Sequence, residues 1–274
     1  LIDLFGGDKV LDSSTVFSRG LYRARRVIGQ SNLLIVSNRL QAISMALNSV
    51  NLHRSLLARY IHYHPEYESS LEPLKVEDDA PRVVKLAALA SEVANVGPMA
   101  AIPGALADIA MEDMVCQGSS VNLVENGGEI AALSDRPLDI GVYAGSSPLS
   151  GRIGFHLLHN DFPIGIATSS STVSHALSFG NADATIIVAR SASIADAVAT
   201  AVCNSVRGDD VEASVQSGLE LAETIPHIRG AIVIRGVYVG KVGRLPRLLK
   251  LNGNIEDLFE ASLHKLMPHN ARIL

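Results

Sequence analysis

Asp196 and Thr200 stand four residues apart in the run "ADAVATAV", a spacing that places both side chains on one face of a helix. A carboxylate and a hydroxyl so placed can hold a hard cation such as Mg2+, which takes oxygen ligands and usually keeps water or phosphate oxygens besides. The surrounding residues are apolar, so Asp196 needs a partner if buried, whether a cation, a helix end or a basic side chain. By itself the pair is a short and common pattern.

Two further segments carry polar chemistry. In "GIATSSSTVSHALSFGNADA" (165–184) seven hydroxyls fall within eleven residues, Thr168, Ser169, Ser170, Ser171 and Thr172 consecutively, with His175 behind them. Hydroxyls and free amides at the entry to a helix bind anions, although the same residues also serve as caps and turns. His175 reads equally as a structural histidine and as a catalytic group. In "VENGGE" (124–129) the residues Glu125, Asn126, Gly127, Gly128 and Glu129 read first as a hairpin turn, since Asn-Gly favours positive φ. Paired glycines would also let backbone amides approach a phosphate or a ring edge, with a carboxylate beside them. No phosphate-binding Gly-Lys loop, Cys-x-x-Cys pair or nucleophile elbow occurs.

These segments need elements to position them. "NLLIVS" (32–37) predicts a strand, and apolar residues at three- and four-residue steps predict a helix to about Tyr63, stopped by Pro65. Residues 66–79 read as an acidic connection. Helices are expected over 81–95 and 99–116, the second with Gly104 inside it and Pro103 forcing a kink or a late start. From Val121 the period changes to short β-type runs, "VNLVE", "IAAL", "LDIGVYAG", "GRIGFHLL", "GIATS" and "ATIIVA". Helices follow at 192–205 and near 210–223, then a hairpin with Arg235-Gly236 at its turn, then one helix around 255–266. The expected architecture is α+β, antiparallel sheets with helices packed on one face.

The bulk composition narrows the classes. With 274 residues, 47% hydrophobic and 19% charged, the chain can bury a substantial core. A net charge of −5 gives no general basic footprint for nucleic acid, and Arg23, Arg25 and Arg26 read as a solvated face. Cys116 and Cys203 make neither a disulfide framework nor a metal-ligand pattern and read as buried thiols. No apolar run reaches the ~18 residues that would cross a bilayer, and no secretory signal is visible, so a cytoplasmic location is expected.

The segments "VGPMAAIPGALADIA", "VENGGEI", "ATSSSTVSHALSFGNADA" and "ADAVATAVCN" occur together and in this order. In combination they resemble a bacterial and archaeal family of the ApbE-like superfamily, named for the FAD:protein FMN transferase, over roughly residues 20–243. The resemblance implies an ApbE-like fold related to a duplicated T-fold. It implies one domain over 1–244, two pseudo-repeats included, with 245–274 as a tail. It also implies that Asp196 and Thr200 match the transferase's Mg2+-binding pair. Gly127-Gly128-Glu129 is similar to its Gly-Gly-Asp segment, and Ala167-Thr168-Ser169-Ser170 to its Ala-Thr-Ser-Gly segment, with His175 at the following His.

The departures are specific. Glu129 stands where that pattern has Asp, and Ser171 and Ser174 stand where it has glycines, which restricts the loop. Gln30-Ser31-Asn32-Leu33 replaces an acidic segment, and the Asp-Pro-x-Thr-Gly signature is absent. The expected function is binding of a flavin- or nucleotide-type ligand containing phosphate (FAD or FMN), with Mg2+ and transfer or cleavage at that ligand. Two alternatives stay open. One is an enzyme acting on a pterin-type or C1 cofactor; the other is a non-catalytic scaffold, self-associating or bound to a protein partner through the 245–274 tail.

Overall fold

The computed structural model describes residues 15–142, 150–170, 180–251 and 272–273. The chain begins there with three strands, β1 (Thr15–Ser18), β2 (Leu21–Ile28) and β3 (Ser31–Ser37). Four helices follow: α1 (Leu40–Tyr63), the single turn α2 (Glu66–Ser69), α3 (Arg82–Ala94) and α4 (Ile102–Cys116). Then come β4 (Val121–Asn126), β5 (Glu129–Ser134), β6 (Leu138–Gly141), β7 (Ile153–Leu157), β8 (Ile164–Ser169) and β9 (Ala184–Ala189). Helices α5 (Ala192–Ser205) and α6 (Val211–Thr224) precede β10 (Ile228–Arg235), β11 (Tyr238–Gly243), β12 (Arg247–Lys250) and β13 (Arg272–Ile273).

Nine strands form one antiparallel sheet in the order β1-β2-β3-β4-β5-β8-β9-β10-β11. Strand alternation divides its side chains between two cores. Ile35, Val124, Ala131, Ala167, Ile187 and Val233 face the helices. Val36, Leu123, Ile130, Ile166, Ile186 and Ile232 face the other way. That second face meets a smaller sheet, β13-β12-β7-β6, which contributes Leu138, Ile140, Phe155 and Leu157 to the same core. The expectation of helices on one side of antiparallel strands is met, and the small sheet is an added third layer. Two strands, then helices, then two strands again is the chain order both in β2–β5 and in β8–β11.

Several local details depart from the sequence reading for identifiable reasons. The basic cluster is not a solvated face: it lies on β2, where alternation turns Arg23 inward with Leu21, and Arg23 is only 8% exposed. Cys203 is buried as expected, but Cys116 is exposed, because it ends α4 where the helix leaves the core. The last hairpin turns on Gly236-Val237, since Arg235 still pairs with Tyr238. Residues 247–250, read as the start of a tail, form β12 and pair with β7. The helix expected around 255–266 lies outside the described residues. Pro103 sits in the first turn of α4, after a short 3-10 turn (Pro98–Ala101), where a missing amide costs nothing.

Among the described residues no single helix is long and apolar enough to cross a membrane.

The start of α4 lies directly against the start of α5. A Cβ built on Gly104 would stand 2.4 Å from the Ala192 carbonyl oxygen and 2.8 Å from the Ser193 amide. Backbone cannot yield there as a side chain could, so Gly104→Ala forces the two helix ends apart. A loss of about 1–3 kcal/mol in unfolding free energy is expected, measurable as a lowered denaturant midpoint with unchanged m.

Candidate functional site

The "VENGGE" turn is a two-residue hairpin loop. Asn126 and Glu129 are still paired across β4 and β5, leaving Gly127 (φ +74°) and Gly128 (φ +122°) as its central residues. Both take positive φ, so the glycines rather than Asn-Gly make the turn. Gly127 donates its amide to the Asn32 carbonyl (3.0 Å), which docks the turn on the start of β3. Gly128 runs close to the end of β8, where an added Cβ would lie 3.7 Å from the Thr168 carbonyl oxygen. On the helix side, Asn126 donates from Nδ2 to the Pro103 carbonyl (3.1 Å) and so ties the hairpin to α4.

Neither α4 nor α5 carries a capping side chain of its own; each is capped by the other. Asp108, on α4, accepts from the Ala192 amide (2.7 Å), the Ser193 amide (2.9 Å) and the Ser193 hydroxyl (2.7 Å). Asp196, on α5, accepts through Oδ2 from the Gly104 amide (2.9 Å) in the first turn of α4. Orphan amides at helix starts are thus satisfied reciprocally, and two buried carboxylates sit where the helix dipoles favour negative charge.

These acids are crowded. Asp196 is 7% exposed and Glu129, on the helix face of β5, is 8% exposed. Burial pushes the Asp196 carboxyl up to about 8, against the opposing Gly104 amide and with a further push from Asp108. Burial, then the charge of Asp196, then that of Glu125 raise Glu129 well above the carboxylate range. Asp108 is raised by burial and held down in part by its donors at Ser193 and Ala192.

Asp196 Oδ1 has no hydrogen-bond partner among the described residues, and the half-buried Thr200 lies one turn further along α5. One free carboxylate oxygen, a hydroxyl and a second buried acid suit an oxygen-seeking cation whose remaining ligands come from water or phosphate. Among the described residues no group of three or more His, Cys, Asp or Glu side chains could hold a metal without such help.

Of the residues singled out in the sequence, Asn126, Gly127, Gly128, Glu129 and Asp196 gather at the α4 and α5 starts. Thr168 and Ser169 end β8 beside the hairpin, and Ser170 follows them, buried. Ser171, Thr172 and His175 lie outside the described residues. Glu125 separates from Glu129: alternation sends it to the opposite face, where Arg25 lowers a carboxyl that burial raises. Asp108 was not anticipated. Its only trace in the sequence is an acid within the small-residue run of "IPGALADIA".

The raised carboxyls set a pH dependence. Between the unfolded carboxylate range near pH 4 and about pH 8, folded Asp196 keeps a proton that the unfolded chain has released, so stability falls as pH rises. The thermal midpoint of metal-free protein should therefore decline from about pH 5 to about pH 8. In Asp196→Asn the decline should become shallower, because the amide oxygen still accepts from Gly104 and nothing at that position titrates. Parallel melting curves for the two proteins across that range check this.

Comparisons with known proteins bear on the family and the fold. The family model described as "AbpE bacteria" matches residues 15–224. The UPF0280 protein of Methanocaldococcus jannaschii is 39% identical over 244 residues, covering 87% of this chain and 98% of that protein. The UPF0280 protein of Methanothermobacter thermautotrophicus is 43% identical over 197 residues, covering 72% and 76%. Among solved structures, the ApbE protein of Thermotoga maritima superposes with a TM-score of 0.53 at 13% identity, covering 81% of this chain and 93% of that one. The apo flavinyl transferase ApbE of Pseudomonas stutzeri gives 0.50 at 16% identity, covering 86% and 94%. The structural likenesses show a shared fold, and the matched family shows kinship: the chain belongs to the AbpE bacteria family and has the α+β fold of the ApbE proteins.

Proposed function

We propose that this protein binds a flavin- or nucleotide-type ligand containing phosphate where α4, α5 and the β4–β5 hairpin meet, with Mg2+ at Asp196 and Thr200. The observation that carries this reading is the buried pair Asp196–Glu129, acids whose charges oppose one another with no cationic side chain among the described residues acting on either. Such a pair costs free energy unless protonated or matched by a cation. The flavinyl transferase activity named for the Pseudomonas stutzeri neighbour supports a ligand of this class.

The roles divide as follows. Asp196 Oδ1 and the Thr200 hydroxyl hold the cation, and Gly104 fixes the Asp196 rotamer through its amide. Neutralisation of charge on phosphate oxygens is what a bound Mg2+ supplies at such a place. Gly127 and Gly128 let the turn come close to the ligand, and Glu129 accepts a hydrogen bond from its heterocycle or shares the cation. Thr168 and Ser169 present hydroxyls from the end of β8. Transfer or cleavage at the phosphate is the chemistry this arrangement serves, with His175 as the acid–base group read from the sequence.

Absorbance spectra and mass spectrometry of small molecules released from the purified full chain should identify a flavin- or nucleotide-type compound. Added at a hundredfold excess over Kd, a ligand stabilises by about 2.7 kcal/mol, a rise of roughly 5–10 °C in thermal midpoint for a chain of this size. Mg2+ should enlarge that rise in the wild type and leave it unchanged in Asp196→Ala. A protein that carries no such compound and ignores FAD, FMN, pterins and nucleotides, with or without Mg2+, would overturn the reading. An unchanged Mg2+ response in Asp196→Ala would remove the metal from this site.

A further inference from the structure

Arginine is rarely buried without a partner, because its charge must then forgo water with nothing in return. Arg23 is such a case. It lies on β2 opposite Val36, on the face turned from the helices, and is 8% exposed. Its Nη1 donates to the Ser18 carbonyl at 3.3 Å. Its Nε and Nη2 are buried and have no hydrogen-bond partner. The charged neighbour acting on it is Arg19, of the same sign, so among the described residues no acid compensates the guanidinium.

The two unsatisfied nitrogens are chemically specific. Nε–H and Nη2–H point the same way along one edge of the guanidinium, at the spacing of the two oxygens of a carboxylate or phosphate. Two residues on, and on the same face, Arg25 has a buried Nε that is likewise without a partner. Arg25 is drawn upon by Glu125 across the strand between them, whereas among the described residues Arg23 has no acid to answer it. A positive fork, a second unsatisfied donor and no counter-charge for Arg23 among the described residues describe a receptor for an anion.

We propose that the Nε–Nη2 edge of Arg23, with Arg25 beside it, binds an oxyanionic group, a phosphate or a carboxylate, on the face of the central sheet opposite Asp196. This site is independent of the one at the α4 and α5 starts. It does not require the Mg2+ pair or the hairpin glycines, and it holds its anion by arginine donors rather than through a cation.

Thermal melting of the full chain tests it, with sodium phosphate or sodium acetate compared against sodium chloride at equal ionic strength and pH. Phosphate also stabilises proteins generally by exclusion from their surface, so the comparison that decides is between variants. The wild type should show a saturable rise with at least one of the two oxyanions. Arg23→Gln should lose the saturable part, and Arg23→Lys, which keeps the charge but not the fork, should weaken apparent affinity by at least about tenfold. If Arg23→Gln does not fold, Arg23→Lys carries the test. No saturable rise with either oxyanion, or an undiminished one in Arg23→Lys, overturns the proposal.

Discussion

Everything at the centre of this molecule depends on two helices that cannot end themselves. The first turns of α4 and α5 lack capping side chains, and each borrows an aspartate from the other. The exchange works only at very short range, which is why Gly104 lies against the Ala192 backbone and Gly165 of β8 against Ser191. Asp108 is spent wholly on this task, with three donors around its two oxygens. Asp196 uses one oxygen and keeps the other. The difference between these two aspartates separates a structural carboxylate from one that has chemistry left over.

The central sheet then acts as a partition. Helix-side positions at its hairpin end hold Asn126 and Glu129 beside Asp196, a region short of positive charge. One residue earlier along β4 the chain shows its other face, where Glu125, Arg25 and Arg23 lie against the layer built with the small sheet. Period-two alternation puts the two sets of charges on opposite faces. They still feel one another, since the charge of Glu125 adds to the rise of the Glu129 carboxyl.

Much of the fold was legible because apolar periodicity is a local property. The α1 pattern to Tyr63, its termination before Pro65, the late start of α4 at Pro103 and the runs from Val121 to Ala189 were all readable in windows of a few residues. The features that escaped depend on distant partners. β2 carries arginines at 23, 25 and 26, and only a buried inner face turns that run into a strand. The small sheet pairs β7 with β12 across most of the second half of the chain. At the site, the Asp196–Thr200 spacing and the hairpin glycines were visible as motifs. Asp108 was not, because a cap supplied in trans has no sequence spacing to reveal it. The separation of Glu125 from Glu129 was hidden until the turn was known to hold two residues, because a three-residue turn would put both on one face.

The contact between Asp196 and Gly104 joins residues 92 apart in sequence, and the Asp108 contacts span 84 and 85. Closing loops of that size is entropically expensive and is rewarded only once both flanking units are in place. The carboxylate cluster therefore exists only when α4 and α5 are both in place and in contact: neither helix contains it alone. Local opening at the α4–α5 contact would separate Asp196 from Gly104 and Asp108 from Ala192 and Ser193 without breaking a strand pairing of the central sheet.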